Sequence, residues 1–371
     1  MYLPVIFTVS TVWEPLYVSS CLPSEKKGIF PRITVNKYGF CLARKYSVPL
    51  FSKGGKVPSC FRCRACEQLV SENRKCGRAK DMISYKQHKD IFQRCDFIMV
   101  IKRMLSILLP YLLFLLALFI WQRSLIYFPG KQSLAKQQEQ AERLNLELWP
   151  SKENYLGLMS KSNMRDGKGT VIVFHGNAGS AINRVYYFNA LERLGYRVIV
   201  AEYPGYGARS GSPSESVLIS DGIAIAAKAR EDFGEPIFLW GESLGSGVVG
   251  GIVHSGEVPI KGIVMMTPFD SMANVAQHHY WLFLAKWLIR DRFDNLKYLN
   301  GYSGNTAMVI AEDDQIIPNR YSLNLYDSLQ CHKRLWSFKN ADHNSLPLAP
   351  ELPWWQEVMY FIDEAEQVIN E

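Results

Sequence analysis

Cysteine is almost absent from the last three quarters of the chain. The chain has 371 residues and eight cysteines, of which only Cys331 lies after residue 95. A single cysteine cannot form an internal disulfide, so this part of the chain is not a disulfide-stabilised scaffold. Its cysteine content therefore does not indicate a cellular compartment.

The same part of the chain also lacks an excess of positive charge. Residues 1–98 hold 17 Lys and Arg against 7 Asp and Glu, whereas the remaining residues hold 25 against 28. The main part of the chain therefore gives no electrostatic reason to bind nucleic acid. Hydrophobic residues make up 48% and charged residues 21% of the whole, which excludes a disordered, collagen-like or coiled-coil protein.

Residues 1–98 form a basic, cysteine-rich extension without a sustained helical or strand period. Four cysteines in residues 60–76 have the spacing C-x2-C-x2-C-x9-C. Clustered thiolates bind zinc or iron–sulfur groups, but this spacing fits neither a paired C-x2-C zinc site nor a ferredoxin-type run. We therefore predict a poorly ordered extension without metal, and a start codon assigned upstream of Met99 or Met104 would explain it.

Residues 104–122 are uncharged and almost entirely apolar, with Lys102 and Arg103 before them and Arg123 after them. A helix of this length spans roughly 28 Å, which is the thickness of the hydrocarbon core of a bilayer. A cleaved signal peptide is the nearest alternative, but no small-x-small cleavage site follows the apolar run. We expect an uncleaved single-pass membrane anchor, and the balanced flanking charges predict no orientation.

Residues 124–371 alternate between apolar runs of strand length and helical patterns. Continuous apolar strands separated by helices indicate a mostly parallel sheet with helices on both faces, and so an α/β fold. The predicted strands are 170–174, 197–202, 236–240, 261–266, 306–311 and 334–338. The predicted helices are 181–194, 214–232, 244–254, 319–329 and 354–369.

The sequence Gly-Glu-Ser-Leu-Gly at 241–245 directly follows one of these strands and opens a helix. This is a G-x-S-x-G motif in the strand–turn–helix context that a nucleophilic serine requires, because the sharp turn projects the hydroxyl from the edge of the sheet. We predict that Ser243 is the nucleophile. The alternative is a glycine-rich turn with an idle serine.

A serine hydroxyl needs a general base, and in this kind of fold the chain order is serine, acid, histidine. His343 follows the last predicted strand, at the carboxyl edge of the sheet where reacting groups belong. The other histidines after Ser243 precede the acid or lie at the wrong end of the sheet. We predict that His343 is the base.

The acid is expected in the loop that follows strand 306–311. Asp314 is the first choice because it opens the turn Asp-Gln-Ile-Ile-Pro, with Asp313 as the second choice and Asp270, after the preceding strand, as the third. An acid that is not used for catalysis in such a loop would cap the next helix.

Two backbone N–H groups complete the predicted site. Glycines in His-Gly-Asn-Ala-Gly at 175–179 free N–H groups to point at a developing oxyanion. We predict that the N–H groups of Asn177 and Leu244 form the oxyanion hole, and that His175 has a packing role because it precedes the nucleophile. No metal or organic cofactor is needed for this chemistry.

Several further stretches stand beside the motifs at 175–179, 241–245 and 314–318. They are Leu-Ile-Tyr-Phe-Pro at 125–129, Tyr-Pro-Gly-Tyr-Gly at 203–207 with Ser210-Gly211, and Arg-Asp-Arg-Phe-Asp-Asn at 290–295. With these stretches the chain resembles, over residues 124–370, the α/β-hydrolase superfamily, and within it the Bem46/ABHD13-type serine hydrolases. The resemblance implies esterase-like or thioesterase-like chemistry in a membrane-tethered enzyme, without implying a substrate.

Residues 271–304 are rich in aromatic side chains and lie between two predicted strands. They form either a cap that shapes an apolar substrate pocket or packed helices with their aromatic stripe in the core. The complete prediction is a serine hydrolase anchored in a lipid membrane through residues 104–122, acting on a small-molecule or acylated ester or thioester. A serine aminopeptidase-like peptidase and a non-catalytic interaction module on the same fold are the alternatives.

Overall fold

The computed structural model describes residues 81–161 and 167–364, with side-chain surroundings from residue 97 onward. The chain divides into two units, Met1–Lys89 and Asp90–Glu371, and the second unit holds every described strand and helix except the first turns of one helix. The predicted cysteine array at 60–76, most of the predicted extension and the end of the last predicted helix lie outside the described residues.

The described part of the chain contains ten strands, eight of which form one sheet. The strands are β1 (Phe128–Pro129), β2 (Leu146–Trp149), β3 (Gly157–Ser160), β4 (Thr170–Phe174), β5 (Ala178–Gly179), β6 (Arg197–Ala201), β7 (Ile237–Glu242), β8 (Gly262–Met266), β9 (Asn305–Ala311) and β10 (Lys333–Phe338). The order in the sheet is β10-β9-β8-β7-β4-β6-β3-β2. The six strands from β10 to β6 are parallel, and β3 and β2 join antiparallel at one edge. All six predicted strands are present, so the α/β prediction is confirmed.

Helices cover both faces of the sheet. On one face Ile172, Leu239 and Val248 share a buried core, and on the other Trp240 packs with Trp355. This burial explains why the central strands read as continuous apolar runs. The helices are α1 (Asp81–Ile126), α2 (Leu134–Arg143), α3 (Val185–Leu191), α4 (Glu215–Phe233), α5 (Leu244–Ser255), α6 (Met272–His279), α7 (Ala285–Leu288), α8 (Asn295–Tyr298), α9 (Asn319–Ser328) and α10 (Pro353–Asp363); short 3-10 turns lie at Ala181–Arg184, Glu192–Leu194 and Trp281–Phe283.

Helix α1 is longer than the predicted segment 104–122 at both ends. Its stretch Phe97–Ile126 has a mean hydropathy of 2.5 and is long enough to cross a membrane. Within the most apolar 18 residues of this stretch, only 6% are buried against the rest of the protein. Among the described residues this is the one helix with such length and composition.

The residues that directly follow α1 pair with the loop that follows β4. Strand β1 pairs in parallel with β5, and the Phe128 N–H donates to the Asn177 carbonyl over 2.9 Å. These two-residue strands were not predicted, because so short a pairing has no sequence period. They join the apolar helix to the loop predicted to hold the oxyanion.

Residues 271–304 fold into short helices rather than one long helix. The large side chains of the middle part are exposed, with Trp281 at 65% and Trp287 at 72% of their full accessible surface. The alternative in which the aromatic stripe fills the core is therefore wrong for these residues.

Candidate active site

Ser243 lies on a sharp turn between β7 and α5, with φ 53° and ψ −112°. A positive φ is strained for a residue with a side chain, and close packing of the flanking glycines holds the turn in this shape. A Cβ added at Gly245 would lie 1.8 Å from the Phe174 carbonyl oxygen, and one at Gly241 would lie 2.6 Å from the Gly245 carbonyl oxygen. The motif glycines are therefore required by close backbone approach.

His343 stands between Ser243 and Asp314. Its Nε2 atom lies 2.9 Å from the Ser243 Oγ, and its Nδ1 atom lies 2.7 Å from an Asp314 carboxylate oxygen. A carboxylate only accepts, so Nδ1–H donates to Asp314 and Nε2 is left with a free lone pair toward the hydroxyl. The His343 and Asp314 side chains are 10% and 2% exposed, so little water competes for these bonds.

Of the three candidate acids, the structure brings Asp314 to the histidine. Its second carboxylate oxygen accepts the backbone N–H groups of Ile316 and Ile317, over 2.9 and 2.7 Å. Asp313 is exposed at the surface. Asp270 is buried but accepts bonds from the Asn274 and Asn324 amides instead.

His175, which the chain order excludes as a base, is fully buried. Its Nδ1–H donates to the Gly176 carbonyl over 2.7 Å, and its ring packs against Tyr203 with 4.4 Å between ring centroids. The Tyr203 hydroxyl in turn donates to the His175 carbonyl. These contacts fix the start of the loop after β4, as a packing role requires.

One predicted oxyanion residue directly follows the serine, and the other lies in a loop that passes near it. Leu244 directly follows Ser243, and a Cβ added at Gly176 would lie 3.7 Å from the Ser243 Cβ, so the loop of Asn177 runs beside the serine. The Asn177 carbonyl accepts from the Tyr206 hydroxyl over 2.7 Å, and its side-chain amide donates to the Ile126 carbonyl over 2.8 Å. Contacts from β1 and the end of α1 thus set the position of this loop.

A charged pair beside the serine was not predicted. The Arg184 guanidinium binds the Glu242 carboxylate through Nε and an Nη, with distances of 2.9–3.2 Å, and the Tyr186 and Tyr187 hydroxyls donate to the same carboxylate. Arg184 also donates to the Ala178 carbonyl over 3.4 Å. The pair therefore links the residue before Ser243 to the loop that follows β4. The signal in the sequence is an acid at the variable position of G-x-S-x-G.

The charge of Glu242 is compensated within this cluster by the charge of Arg184. Burial alone would raise the pKa of the Glu242 carboxyl, but the Arg184 charge and the hydrogen bonds from Arg184 and Tyr186 hold that pKa below its usual value. Burial next to the Glu242 charge raises the pKa of Tyr186. Glu242 is therefore a carboxylate and Tyr186 a neutral hydroxyl donor at neutral pH.

A second unpredicted cluster joins α1 to the body. The buried Asp291 carboxylate accepts Nε and an Nη of Arg123 at 2.9 and 3.1 Å, and the Tyr127 hydroxyl at 3.0 Å. Arg123 and Tyr127 lie at and just after the end of α1, more than 160 residues before Asp291 in the sequence. Among the described residues, no group of three or more His, Cys, Asp or Glu side chains is placed to hold a metal ion.

The sequence is similar to one family model and to several curated proteins. The sequence model of one family, described as serine aminopeptidase, S33, matches residues 165–308. The lysophosphatidylserine lipase ABHD12 of Danio rerio is 29% identical over 212 residues, which are 49% of this chain and 56% of that protein. The chain thus spans about half the length of the curated relatives that it matches in this group. The resemblance to the Bem46 type in particular stays a prediction.

Among solved structures, the chain is similar to an esterase of Pyrococcus furiosus, Pf2001. The TM-score is 0.46 and the identity 17%, and the match covers 64% of this chain and 97% of the esterase chain. The monoacylglycerol lipase of Paleococcus ferrophilus has a TM-score of 0.42 and 20% identity over 53% and 94%. An uncharacterized protein of Mycobacterium tuberculosis, Rv2307c, is 31% identical over 245 residues, which are 63% of this chain and 84% of that protein. With a relative matched over so much of its length, on a sheet of this topology, the chain belongs to the α/β-hydrolase superfamily.

Proposed function

We propose that this protein is a serine hydrolase that cleaves carboxylic ester or thioester bonds through an acyl-enzyme. The observation that carries the proposal is the pair of distances at His343, 2.9 Å to the Ser243 Oγ and 2.7 Å to the Asp314 carboxylate. Both lie within the range of a hydrogen bond, so one imidazole is positioned to accept a proton and be oriented at the same time.

In the first half of the reaction, the Ser243 Oγ attacks the carbonyl carbon while His343 Nε2 takes the hydroxyl proton. The carbonyl oxygen becomes an oxyanion that accepts the N–H groups of Asn177 and Leu244. The bond from carbon to the leaving oxygen or sulfur then breaks, and His343 gives its proton to the leaving group. The acyl group remains on Ser243.

In the second half, water replaces the leaving group. His343 takes a proton from water, the resulting hydroxide attacks the acyl-enzyme, and the carboxylic acid leaves as Ser243 regains its proton. The Asp314 carboxylate stabilises the imidazolium in both halves and holds Nδ1 as the donor. The backbone N–H groups of Ile316 and Ile317 keep that carboxylate in place.

The substrate class that we favour is an ester of a lipid, and the enzyme is anchored in the membrane. The long apolar stretch Phe97–Ile126, almost wholly exposed to the surroundings, supports the anchor. The relative from Danio rerio is described as a lipase for lysophosphatidylserine, which supports a lipid ester as the substrate class.

The description of the matching family as serine aminopeptidase supports one other candidate, a peptidase with the same three residues. A peptide bond and an ester can both pass through an acyl-enzyme, so the triad alone does not separate them. A non-catalytic module on the same fold would not need Ser243, His343 and Asp314 in hydrogen-bonding register.

The test begins with a fluorophosphonate probe on the full-length protein, with Ser243→Ala as its control. Activity is then measured on p-nitrophenyl esters of rising acyl length, on matched thioesters and on an aminoacyl anilide. The proposal expects covalent labelling that depends on Ser243, together with ester or thioester turnover. Absence of labelling would contradict an active serine hydrolase, and turnover of the anilide alone would favour the peptidase.

A further inference from the structure

The middle of the region between β8 and β9, which we call the Tyr280–Leu288 segment, presents a largely apolar surface that is interrupted by the exposed side chain of Lys286. Five of its nine residues are large hydrophobic side chains with 43–72% of their surface exposed: Tyr280, Trp281, Leu282, Leu284 and Trp287. Monomeric soluble proteins rarely leave an apolar patch of this size facing water, so such a patch marks a surface that binds a protein, a ligand or a membrane.

This segment lies along the apolar part of α1. The Tyr111 hydroxyl donates to the Leu282 carbonyl over 2.6 Å, and the rings of Phe114 and Phe283 meet edge to face at 5.2 Å. Further along the helix, the Gln122 amide contacts the Leu288 carbonyl. From residue 111 to residue 122 the helix rises by about 16 Å, so the segment accompanies more than half of a bilayer-spanning length.

Where the short helices of the segment begin and end, side chains form hydrogen bonds with backbone N–H and carbonyl groups that water would otherwise have to bind. Besides the bonds from Tyr111 and Gln122 to carbonyls, the Gln122 side-chain oxygen accepts the Arg290 N–H over 2.7 Å. The Gln277 side chain accepts the Lys286 N–H and donates to the Trp281 carbonyl. Irregular backbone is tolerated in lipid only where such bonds are made, because each unsatisfied group costs several kcal/mol there.

Charge along α1 is arranged as a membrane anchor requires. The ion pair of Arg123 and Asp291 and the Arg290 guanidinium, which lies 5.7 Å from the centre of the Phe119 ring, are at the end of the contact toward the body. Farther along the helix, Tyr111 and Phe114 contact Leu282 and Phe283. Two exposed cations, Lys286 and Arg320, line a pocket with Trp281. Charged groups belong at the interface, and the long apolar stem of Lys286 lets its ammonium group extend toward the headgroups.

We propose that the Tyr280–Leu288 segment is embedded beside α1 in one leaflet of the lipid bilayer, so that the enzyme takes its substrate from that leaflet. This inference rests on the proposed membrane anchor, since the lipid depth of the segment follows from its contacts with α1. The occupant of the apolar surface is the acyl-chain region of the bilayer. The substrate is then an ester that carries a chain long enough to remain in the membrane.

Two hydrogen bonds connect this surface to the catalytic acid. The Nε2–H of His279, next to the segment, donates to the Ile316 carbonyl over 2.9 Å, and the Ile316 N–H donates to the Asp314 carboxylate over 2.9 Å. Ile316 is itself 49% exposed. The loop that carries Asp314 therefore borders the embedded surface.

Photolabelling of the full-length protein tests the placement directly. The protein is reconstituted in phosphatidylcholine vesicles that contain a diazirine on the acyl chain, irradiated, and mapped by mass spectrometry of its peptides. We expect lipid adducts on the peptide with Trp281 and Trp287 as well as on α1. Adducts on α1 without adducts on the segment would overturn the inference, as would a segment protected by a bound protein.

Activity provides the second test, with a control variant from another face. Trp287→Glu should lower hydrolysis of 4-methylumbelliferyl oleate held in those vesicles at least tenfold, because a carboxylate expels the segment from lipid, and should leave soluble p-nitrophenyl butyrate turnover unchanged. Tyr360→Glu, a change at a side chain 70% exposed on α10, should alter neither. Equal vesicle activity in all three proteins would overturn the inference. Failure of the wild type to label with the serine probe, with lipid adducts still found on the segment, would instead contradict the proposed function alone.

Discussion

The Nε2 atom of His343 lies 2.9 Å from the Oγ of Ser243, although one hundred residues separate them along the chain. The two residues follow β7 and β10, which are separated in the sheet by β8 and β9. The loop after β9 supplies Asp314, so the groups reach the same carboxyl edge from three strands. The rigid sheet therefore sets their geometry, and single substitutions can test each role without moving the others.

Ser243→Ala should abolish ester hydrolysis and leave the fold intact. The change removes only a hydroxyl at the edge of the sheet, whereas loss of the nucleophile in a triad costs a factor on the order of 10⁴ or more. Labelling by a fluorophosphonate probe and the thermal midpoint should be measured together. Ser220→Ala, at an exposed position of α4, should keep both at wild-type values. Retained labelling of the Ser243 variant would disprove the assignment.

Asp314→Asn should lower turnover on the order of 10³ to 10⁴-fold, while Asp313→Asn should change it by less than about twofold. An amide at position 314 can donate to His343 Nδ1, which would favour the wrong imidazole tautomer. The measurement is kcat on a soluble ester for both variants. If the Asp313 variant is the more damaged of the two, the acid has been assigned one residue too late.

Most of the sheet could be predicted because its central strands are buried on both faces and so read as unbroken apolar runs. Strands β2 and β3 could not, since each is only four residues long and mixes polar with apolar residues, and β2 is the edge strand. The order of serine, acid and histidine along the chain, together with the strand that each residue follows and the turn that Asp314 opens, selected three residues that the structure brings within hydrogen-bonding distance. These local motifs therefore predicted which side chains meet in the folded protein, which the amino-acid composition could not do.

Long-range polar pairs are what the sequence did not reveal. Arg184 and Glu242 are 58 residues apart, and Tyr127 and Asp291 are 164 apart. Neither pair has a period or a spacing rule, because each depends on how two loops pack after the sheet has formed. The exposure of Trp281 and Trp287 was open for the same reason, since an aromatic run reads alike whether it faces a core or a lipid.

Glu242→Gln should lower the free energy of unfolding by roughly 3 kcal/mol at neutral pH, because it leaves the Arg184 guanidinium without its anionic partner. The pKa of the Glu242 carboxyl is below its ordinary value of 4.5 in the folded protein. Its stabilising contribution is therefore complete above that ordinary value and is lost as the pH falls through the folded pKa.

The thermal midpoints of wild type and Glu242→Gln should thus differ at pH 7 and converge as the pH falls below the folded pKa of Glu242. Glu231→Gln, which changes a carboxylate that is 73% exposed, is the matched control and should have little effect at either pH. A difference between wild type and the Glu242 variant that persists unchanged in acid would show that the charge of Glu242 is not the source of the stabilisation.

The full-length protein should remain with membranes after washing with high salt and with alkaline carbonate. Burial of an apolar stretch such as Phe97–Ile126 does not depend on screened charge, so neither treatment removes its driving force. Arginine at both Leu112 and Leu116, whose side chains are 50% and 53% exposed, should oppose insertion by about 2.5–3.5 kcal/mol per residue and release part of the protein. Leu144→Arg, at a similarly exposed position in the body, should leave the protein in the membrane fraction. Recovery of the wild type in the carbonate supernatant, or of a mature chain cut after residue 122, would identify the apolar stretch as a signal peptide and the enzyme as exported.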